Sequence, residues 1–305
     1  MSMRVFVTGA TGYVGNPVAA RLAQNGFEVH GLTRYKERAE ALRARGIQPV
    51  IGDLERPESL IADLKNCDAV VHAAFSAGAD AARVDQLALE IIKTGVVDGR
   101  VRHVMYTSGV WVHGNTGEQV EDESADPHPA EIVAWRPAHE EVALDLVEHE
   151  VHVAVMRPAM VYGGTGGTFA GWFREAREKQ TVTYPGDGTQ HWNMVHRDDV
   201  AEGYRLALEH ARGGQRYLLA DESHFTVREL AEAVAHAGGA QAQPWNRDEV
   251  LQKLGLYGAA LLLDQRVTAA RARRSLGWVP RHSNFVAEAA SLLRDWRAGE
   301  QAILA

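Results

Sequence analysis

The chain has 305 residues, 46% of them hydrophobic and 24% charged, with a formal net charge of −8. That balance fits one large globular domain or two closely joined ones, and the negative charge argues against nucleic acid as a partner. The single cysteine, Cys67, excludes an internal disulfide and a cysteine-ligated zinc site, and no metal is expected. No apolar run approaches membrane-spanning length, and Arg4 stands where a signal core would be apolar. A cytoplasmic protein with no membrane partner and a small-molecule substrate is therefore expected.

In chain order, Val5-Phe6-Val7 reads as a strand and Val18 to Leu22 as part of a helix. Between them lies Thr8-Gly9-Ala10-Thr11-Gly12-Tyr13-Val14-Gly15. Strand, glycine turn and helix together form a holder for a dinucleotide diphosphate. Gly9 permits the tight turn, Gly12 lets the backbone approach the phosphates, and Gly15 lets helix and strand pack closely. Thr11, Tyr13 and Val14 complete the loop, and the helix amides favour the anion. Strands are predicted at 4–7, 28–33, 48–51, 69–73, 102–107 and 151–156, with helices at 38–45, 57–64, 80–94 and 132–148. This alternation predicts an α/β, doubly wound parallel sheet whose ligands bind at the carboxyl ends of the strands.

The second predicted strand ends in Thr33-Arg34-Tyr35-Lys36, with Arg38 nearby. A carboxylate at this point would bind both ribose hydroxyls of NAD. Thr33 followed by a guanidinium suits a 2′-phosphate instead, so NADP is favoured over NAD. The plain alternative is that Arg34, Lys36 and Arg38 are a solvated helix start. Past Gly163 the pattern becomes irregular. The run 163–167 reads as a hinge or lid, or equally as a connector. Helices follow at 169–179 and 226–237.

These motifs resemble the extended branch of the short-chain dehydrogenase/reductase superfamily, the nucleoside-sugar epimerases and dehydratases. The resemblance implies a Rossmann domain over 1–164 with a return at 194–222. A smaller substrate-binding lobe would be built from 165–193 and 223–305. It places Asp53 and Leu54 at the adenine and Ala73 and Ala74 beside the adenosine. Arg157-Pro158-Ala159-Met160-Val161-Tyr162-Gly163 is similar to the family's RPxxVYG, which puts Pro158 at the cofactor. Val195-His196-Arg197-Asp198-Asp199-Val200-Ala201 is similar to its VHVDDVA. The run Val29-His30-Gly31-Leu32-Thr33-Arg34 resembles the NADP-using GDP-mannose dehydratases.

The family's hydride-transferring members use a Ser or Thr and a Tyr-x-x-x-Lys pair on one helix face. Here Val112-His113-Gly114 aligns with the family's Val-Tyr-Gly. The orienting hydroxyl then falls on Gly109, beside Thr107 and Ser108. Trp135 stands in place of the tyrosine and His139 in place of the lysine. The chain in this respect resembles the superfamily's atypical members. An indole cannot exchange a proton usefully, whereas histidine titrates near neutral pH. The catalytic candidates are thus His139, Trp135, Ser108, Thr107 and Tyr162. Thr107 and His139 are also candidates for holding the cofactor. Glu140 and Glu141 read as charges in a helix's first turn. Trp192 replaces the arginine of the family's GDGxQxRDFxHV loop, which weakens the case for a nucleotide sugar. Trp111, His113, Trp135, Tyr162 and Trp192 are expected to line an apolar substrate pocket.

Three readings follow. The first is an NADP-dependent oxidoreductase of a small, fairly apolar carbonyl or alcohol, with a non-standard acid–base group. The others are a non-catalytic NADP-binding sensor or regulator, and a non-redox lyase or isomerase. An acid–base group within hydrogen-bond reach of both the nicotinamide C4 and an open pocket favours the first; a pocket filled by Trp135 and closed to ligands favours the second. The family also implies a homodimer through the helices after the fourth and fifth strands. There Val84, Leu87, Ala88, Ile91 and Ile92 form an apolar stripe that Val133, Leu144 and Val147 extend, although burial against the sheet explains part of it.

Overall fold

The computed structural model describes residues 2–304 apart from 77 and 79. The first half runs β1 (Arg4–Thr8), α1 (Gly15–Gln24), β2 (Glu28–Thr33), α2 (Ala39–Arg43), β3 (Gln48–Ile51), α3 (Ile61–Lys65), β4 (Ala69–His72), α4 (Ala81–Val97), β5 (His103–Thr107), α5 (Arg136–Leu144) and β6 (His152–Pro158). The second half runs β7 (Met160–Tyr162), α6 (Gly167–Lys179), β8 (Thr181–Pro185), β9 (Met194–His196), α7 (Arg197–His210), β10 (Gly214–Leu219), α8 (Val227–Gly238), β11 (Gln241–Trp245), α9 (Arg247–Leu261), α10 (Ala270–Leu276) and α11 (Phe285–Leu304). All six predicted strands are present. The helix predicted over 132–148 is shorter, with 3₁₀ turns at Glu131–Val133 and Asp145–His149 on its flanks. Pro137 suits a first helical turn and opposes helix before it. The helices predicted at 38–45 and 57–64 likewise begin as 3₁₀ turns.

Seven strands pair in parallel in the order β10-β6-β5-β4-β1-β2-β3, the Rossmann arrangement. Side chains alternate between its faces. Val5 and Val7 join α1 and α7 on one side, while Phe6 meets α3 and α4 on the other. Ala88, Ile91 and Ile92 lie inside this second core, and Val84 packs on it. Much of the predicted interface stripe is therefore occupied within the chain. Val97, Val142 and Val147 stay exposed.

Phe169, Trp172, Phe173, Trp192, Phe285 and Trp296 build a second core among α6, β8, α8 and α11. Not all of the later segments join it. Val267, Ala269, Ala272, Leu276 and Trp278 return to the sheet's core, and Trp278 Nε1 donates to Asp199 O at 2.8 Å. Among the described residues no helix is long and apolar enough to cross a membrane.

The seat of α5 is electrostatic. Glu140 is fully buried and accepts from Arg157 Nε at 2.9 Å, Arg157 Nη2 at 2.5 Å and Arg216 Nε at 3.0 Å. It ties α5 to β6 and β10 and is not a dipole charge, as the sequence had suggested. Burial acts to raise its pKa, but its polar neighbours, Arg157 above all, outweigh burial and the net shift is downward. Glu141 pairs with Arg216 from an exposed position. Glu140→Ala leaves Arg157 buried without its partner and should cost ~3–5 kcal/mol. Glu141→Ala should cost under about 1 kcal/mol. Urea unfolding of both variants checks this; equal losses would refute the assignment.

Candidate functional site

A cleft of about 640 Å³ opens at the carboxyl edge of the sheet. Its floor is the turn between β1 and α1. Gly9 has φ +68°, and a Cβ there would stand 2.5 Å from Ala73 O. A Cβ on Gly15 would stand 2.2 Å from Gly9 O. Side chains are thus barred where turn, helix and β4 meet, and Gly9, Thr11, Gly12, Tyr13 and Val14 face the cleft. Gly15 packs helix on turn and is not part of the wall. This concave backbone at a helix start fits a dinucleotide diphosphate.

Tyr13 donates to Gly163 O at 2.9 Å, and a Cβ on Gly166 would fall 2.5 Å from its ring. Burial pushes the Tyr13 pKa well up, so the phenol stays a donor. The run 163–167 is clamped by these contacts and is not a free lid.

At the outer end the wall includes Thr33, Arg34, Tyr35, Arg38, Asp53 and Leu54, with Ala73 and Ala74 beside them. Arg34 and Arg38 both stack on the Tyr35 ring, at 5.6 and 5.3 Å. Arg38 Nη1 also reaches Thr11 Oγ1 at 3.5 Å. Two of the three basic residues therefore face the cleft, while Lys36 is not in its wall.

At the inner end, Asp85 of α4 lines the cleft. Its carboxylate accepts from Tyr106 OH at 2.7 Å, His139 Nδ1 at 2.7 Å and His72 Nε2 at 3.2 Å. Burial alone would raise its pKa, but His139 and His72 outweigh burial and hold it well below the carboxylate range. The protons follow from the partners. Thr8 Oγ1 accepts from the amides of Ala73 and Ala74, both at 3.2 Å, so its own hydrogen goes to His72 Nδ1 at 2.8 Å. His72 then donates from Nε2. His139 donates from Nδ1, which leaves its Nε2 uncommitted.

Several expected site residues lie elsewhere. Trp135 and His139 do share a helix face, in edge contact at 4.8 Å, but neither is in the cleft wall. His139 reaches the cleft through Asp85, and Trp135 does not fill it. Arg136, between them in sequence, lines the cleft instead. His113 is sealed: it donates to Glu121 from Nδ1 at 2.8 Å and accepts from Arg157 at Nε2, 3.1 Å away. Tyr162 is buried in the small-lobe core against Phe169 and Phe285, its hydroxyl unpartnered and its pKa raised by burial. Trp192 stacks on Trp172 at 5.7 Å and donates to Leu261 O at 3.1 Å.

Thr107 and Ser108 do border the cleft, as does Pro158. Thr107 Oγ1, however, is 2.6 Å from Tyr204 OH, and Ser108 Oγ is buried without a partner. Of the expected substrate residues, only Trp111 lines the cleft, with Phe75, Val133, Met160 and Val161 around it. The wall residues that the sequence reading missed include Asp85 and Arg136. The signals available were an acid inside an apolar helical stripe and an arginine opening a helix just before Pro137.

The sequence pattern of the NAD dependent epimerase/dehydratase family matches residues 5–220. A 4-hydroxy-2-methyl-3-oxo-4-farnesyl-3,4-dihydroquinoline-1-oxide ketoreductase from Stigmatella aurantiaca is 28% identical, covering 80% of this chain and 76% of that one. A 2-alkyl-3-oxoalkanoate reductase from Stenotrophomonas maltophilia is 25% identical, covering 78% and 76%. A dTDP-glucose 4,6-dehydratase (DesIV) double mutant from Streptomyces venezuelae, solved with NAD and DAU bound, superposes with a TM-score of 0.84 at 22% identity over 98% of each chain. The chain belongs to the NAD-dependent epimerase/dehydratase family.

The Asp85 network makes a prediction with a definite sign. An acid with a depressed folded pKa stabilises above its unfolded value, near 4, and loses that contribution as pH falls further. Asp85→Asn exchanges one acceptor oxygen for a donor and orphans at least one partner. It should lower stability at pH 7 by ~2 kcal/mol and flatten the acid limb of the stability profile. Urea midpoints at pH 7 and below 4 measure this; an unchanged midpoint at pH 7 would refute the network's role.

Proposed function

We propose that this protein is an NADP-dependent oxidoreductase of a small, fairly apolar carbonyl or alcohol. One observation carries the reading: one cleft runs from the glycine turn, with Arg34 and Arg38 at its outer end, to an inner end where Trp111, Val133, Met160 and Val161 line the wall and Trp135 leaves the space free. The dinucleotide, when bound, supplies or accepts a hydride. The chain does the rest. The Gly9–Val14 backbone binds the diphosphate, and Arg34 with Arg38 pairs with the 2′-phosphate. Asp53, Leu54, Ala73 and Ala74 surround the adenine. Trp111, Val133, Met160 and Val161 exclude water around the substrate. His139 is the acid–base candidate in place of Tyr-x-x-x-Lys, standing behind the wall and coupled to the cleft through Asp85. Two similar proteins carry the names of ketone-reducing enzymes, which supports the carbonyl class.

A second reading, a non-catalytic NADP-binding regulator, is favoured by the state of the two hydroxyls: Thr107 Oγ1 is engaged by Tyr204 and Ser108 Oγ is buried. NADPH oxidation screened over aldehydes, ketones and enones separates the two: turnover supports the enzyme, and tight NADPH binding with no turnover supports the regulator. We also propose a homodimer, since Val97, Val142 and Val147 stay exposed on α4, α5 and the turn that follows.

Three outcomes are expected. The protein binds NADPH more tightly than NADH, and Arg34→Asp inverts the order; equal affinities in the unmutated protein would refute the assignment. His139→Ala lowers kcat by roughly 100-fold with a much smaller change in cofactor Kd; unchanged turnover would exclude it as the acid–base group. Light scattering at micromolar concentration gives twice the chain mass, and a monomer counts against the dimer.

A further inference from the structure

Arg136 has a guanidinium that the described residues leave mostly unbonded. It is 7% exposed and stands in the cleft wall. One contact satisfies it: Nη1 donates to Thr107 O at 2.6 Å. The Trp135 and Phe75 rings lie 4.6 and 5.7 Å from its guanidinium carbon. Among the described residues no carboxylate forms an ion pair with it. Asp85 shares the wall and lies near enough for the two charges to attract, but its oxygens are bonded to Tyr106, His139 and His72 and none pairs with Arg136. Arg136 also opens α5, so its charge sits at the positive end of the helix dipole. The guanidinium has no ion-pair partner of its own among the described residues, and an anion in the cleft would supply one.

We propose that Arg136 binds a carboxylate on the substrate, so that the substrate is an aliphatic oxo-acid or its hydroxy-acid counterpart. Four of its five N–H donors remain, in a planar fork that matches a carboxylate. The apolar wall beside it, Val133, Trp111 and Met160, takes the aliphatic part. The dinucleotide's phosphates have their own partners at the glycine turn and at Arg34 and Arg38. The proposal rests on reading the inner end of the cleft as the substrate pocket.

The test is a calorimetric titration of hexanoate and of hexanamide, which has the same shape without the charge. It is run on the full chain with and without NADPH, on the unmutated protein, Arg136→Gln and Arg136→Lys. Hexanoate should bind the unmutated protein at least tenfold more tightly than hexanamide. Arg136→Gln should abolish that ratio and Arg136→Lys keep part of it, with NADPH affinity changing less than threefold. Thermal melting confirms folding, and Arg136→Lys carries the test if Arg136→Gln fails to fold. Equal affinities in the unmutated protein, binding of neither compound, or a ratio that survives both substitutions would overturn the proposal. So would a tenfold loss of NADPH binding in Arg136→Gln with the ratio intact, which would assign Arg136 to the cofactor. No turnover is read, so an inactive protein leaves this result standing, and a failed carboxylate preference leaves the oxidoreductase reading standing.

Discussion

A single buried carboxylate organises the inner end of the cleft. Asp85 sits on α4, and its donors come from β4, β5 and α5 through His72, Tyr106 and His139. Thr8 extends the set to β1 through His72. An ionised group inside a protein is tolerated only when its lone pairs are filled. The requirement works in reverse as a positional constraint: the ends of β1, β4 and β5 and the start of α5 must all lie within hydrogen-bond reach of one point. Apolar packing alone would let these elements slide by fractions of a turn. The charge removes that freedom where a ligand must be met with atomic precision.

The same region treats two arginines in opposite ways. Arg157, from β6, has a bidentate carboxylate and an imidazole nitrogen as partners. Arg136, on the neighbouring helix, has one carbonyl and two aromatic faces. The first is a finished structural contact. The second has most of its donors unspent and is open to the cleft. The contrast separates residues that hold the scaffold from residues aimed at something outside it, a distinction that residue type and burial do not supply.

The Rossmann half was legible in the sequence because its signals are local. Strands buried on both faces read as short apolar runs, and the glycine turn is a matter of adjacent residues. Arg34 could be placed because the end of β2 could be placed. The inner end of the cleft was harder for physical reasons. Aligning Trp135 and His139 between two fixed motifs sets position along the chain but not the rotation of the helix, and each residue turns the helix by about 100°. Arg136 thus faces the cleft where its neighbour does not. Glu140 finds its partners 17 and 76 residues away, which no local pattern reports. Trp192 and Tyr162 became core because aromatic rings suit a cavity wall and a packed interior equally well. α9 hid its helical period behind a kink at Gly255, where φ is 53°.

The clamp on Tyr13 has a consequence for how the chain is made. The loop that receives Tyr13 is backed by the last helix, where Gly299 comes up against Thr165. The turn after β1 is thus completed by α6 and α11, far downstream in sequence. β1 gains its neighbours β2 and β4 early, but the wall that closes over Tyr13 must wait for those later helices. Contacts of such long sequence separation form slowly and late. A chain cut short of α11 would display an ordered sheet with an unfinished cradle, so that the affinity of the glycine turn for a diphosphate would report whether that helix has docked.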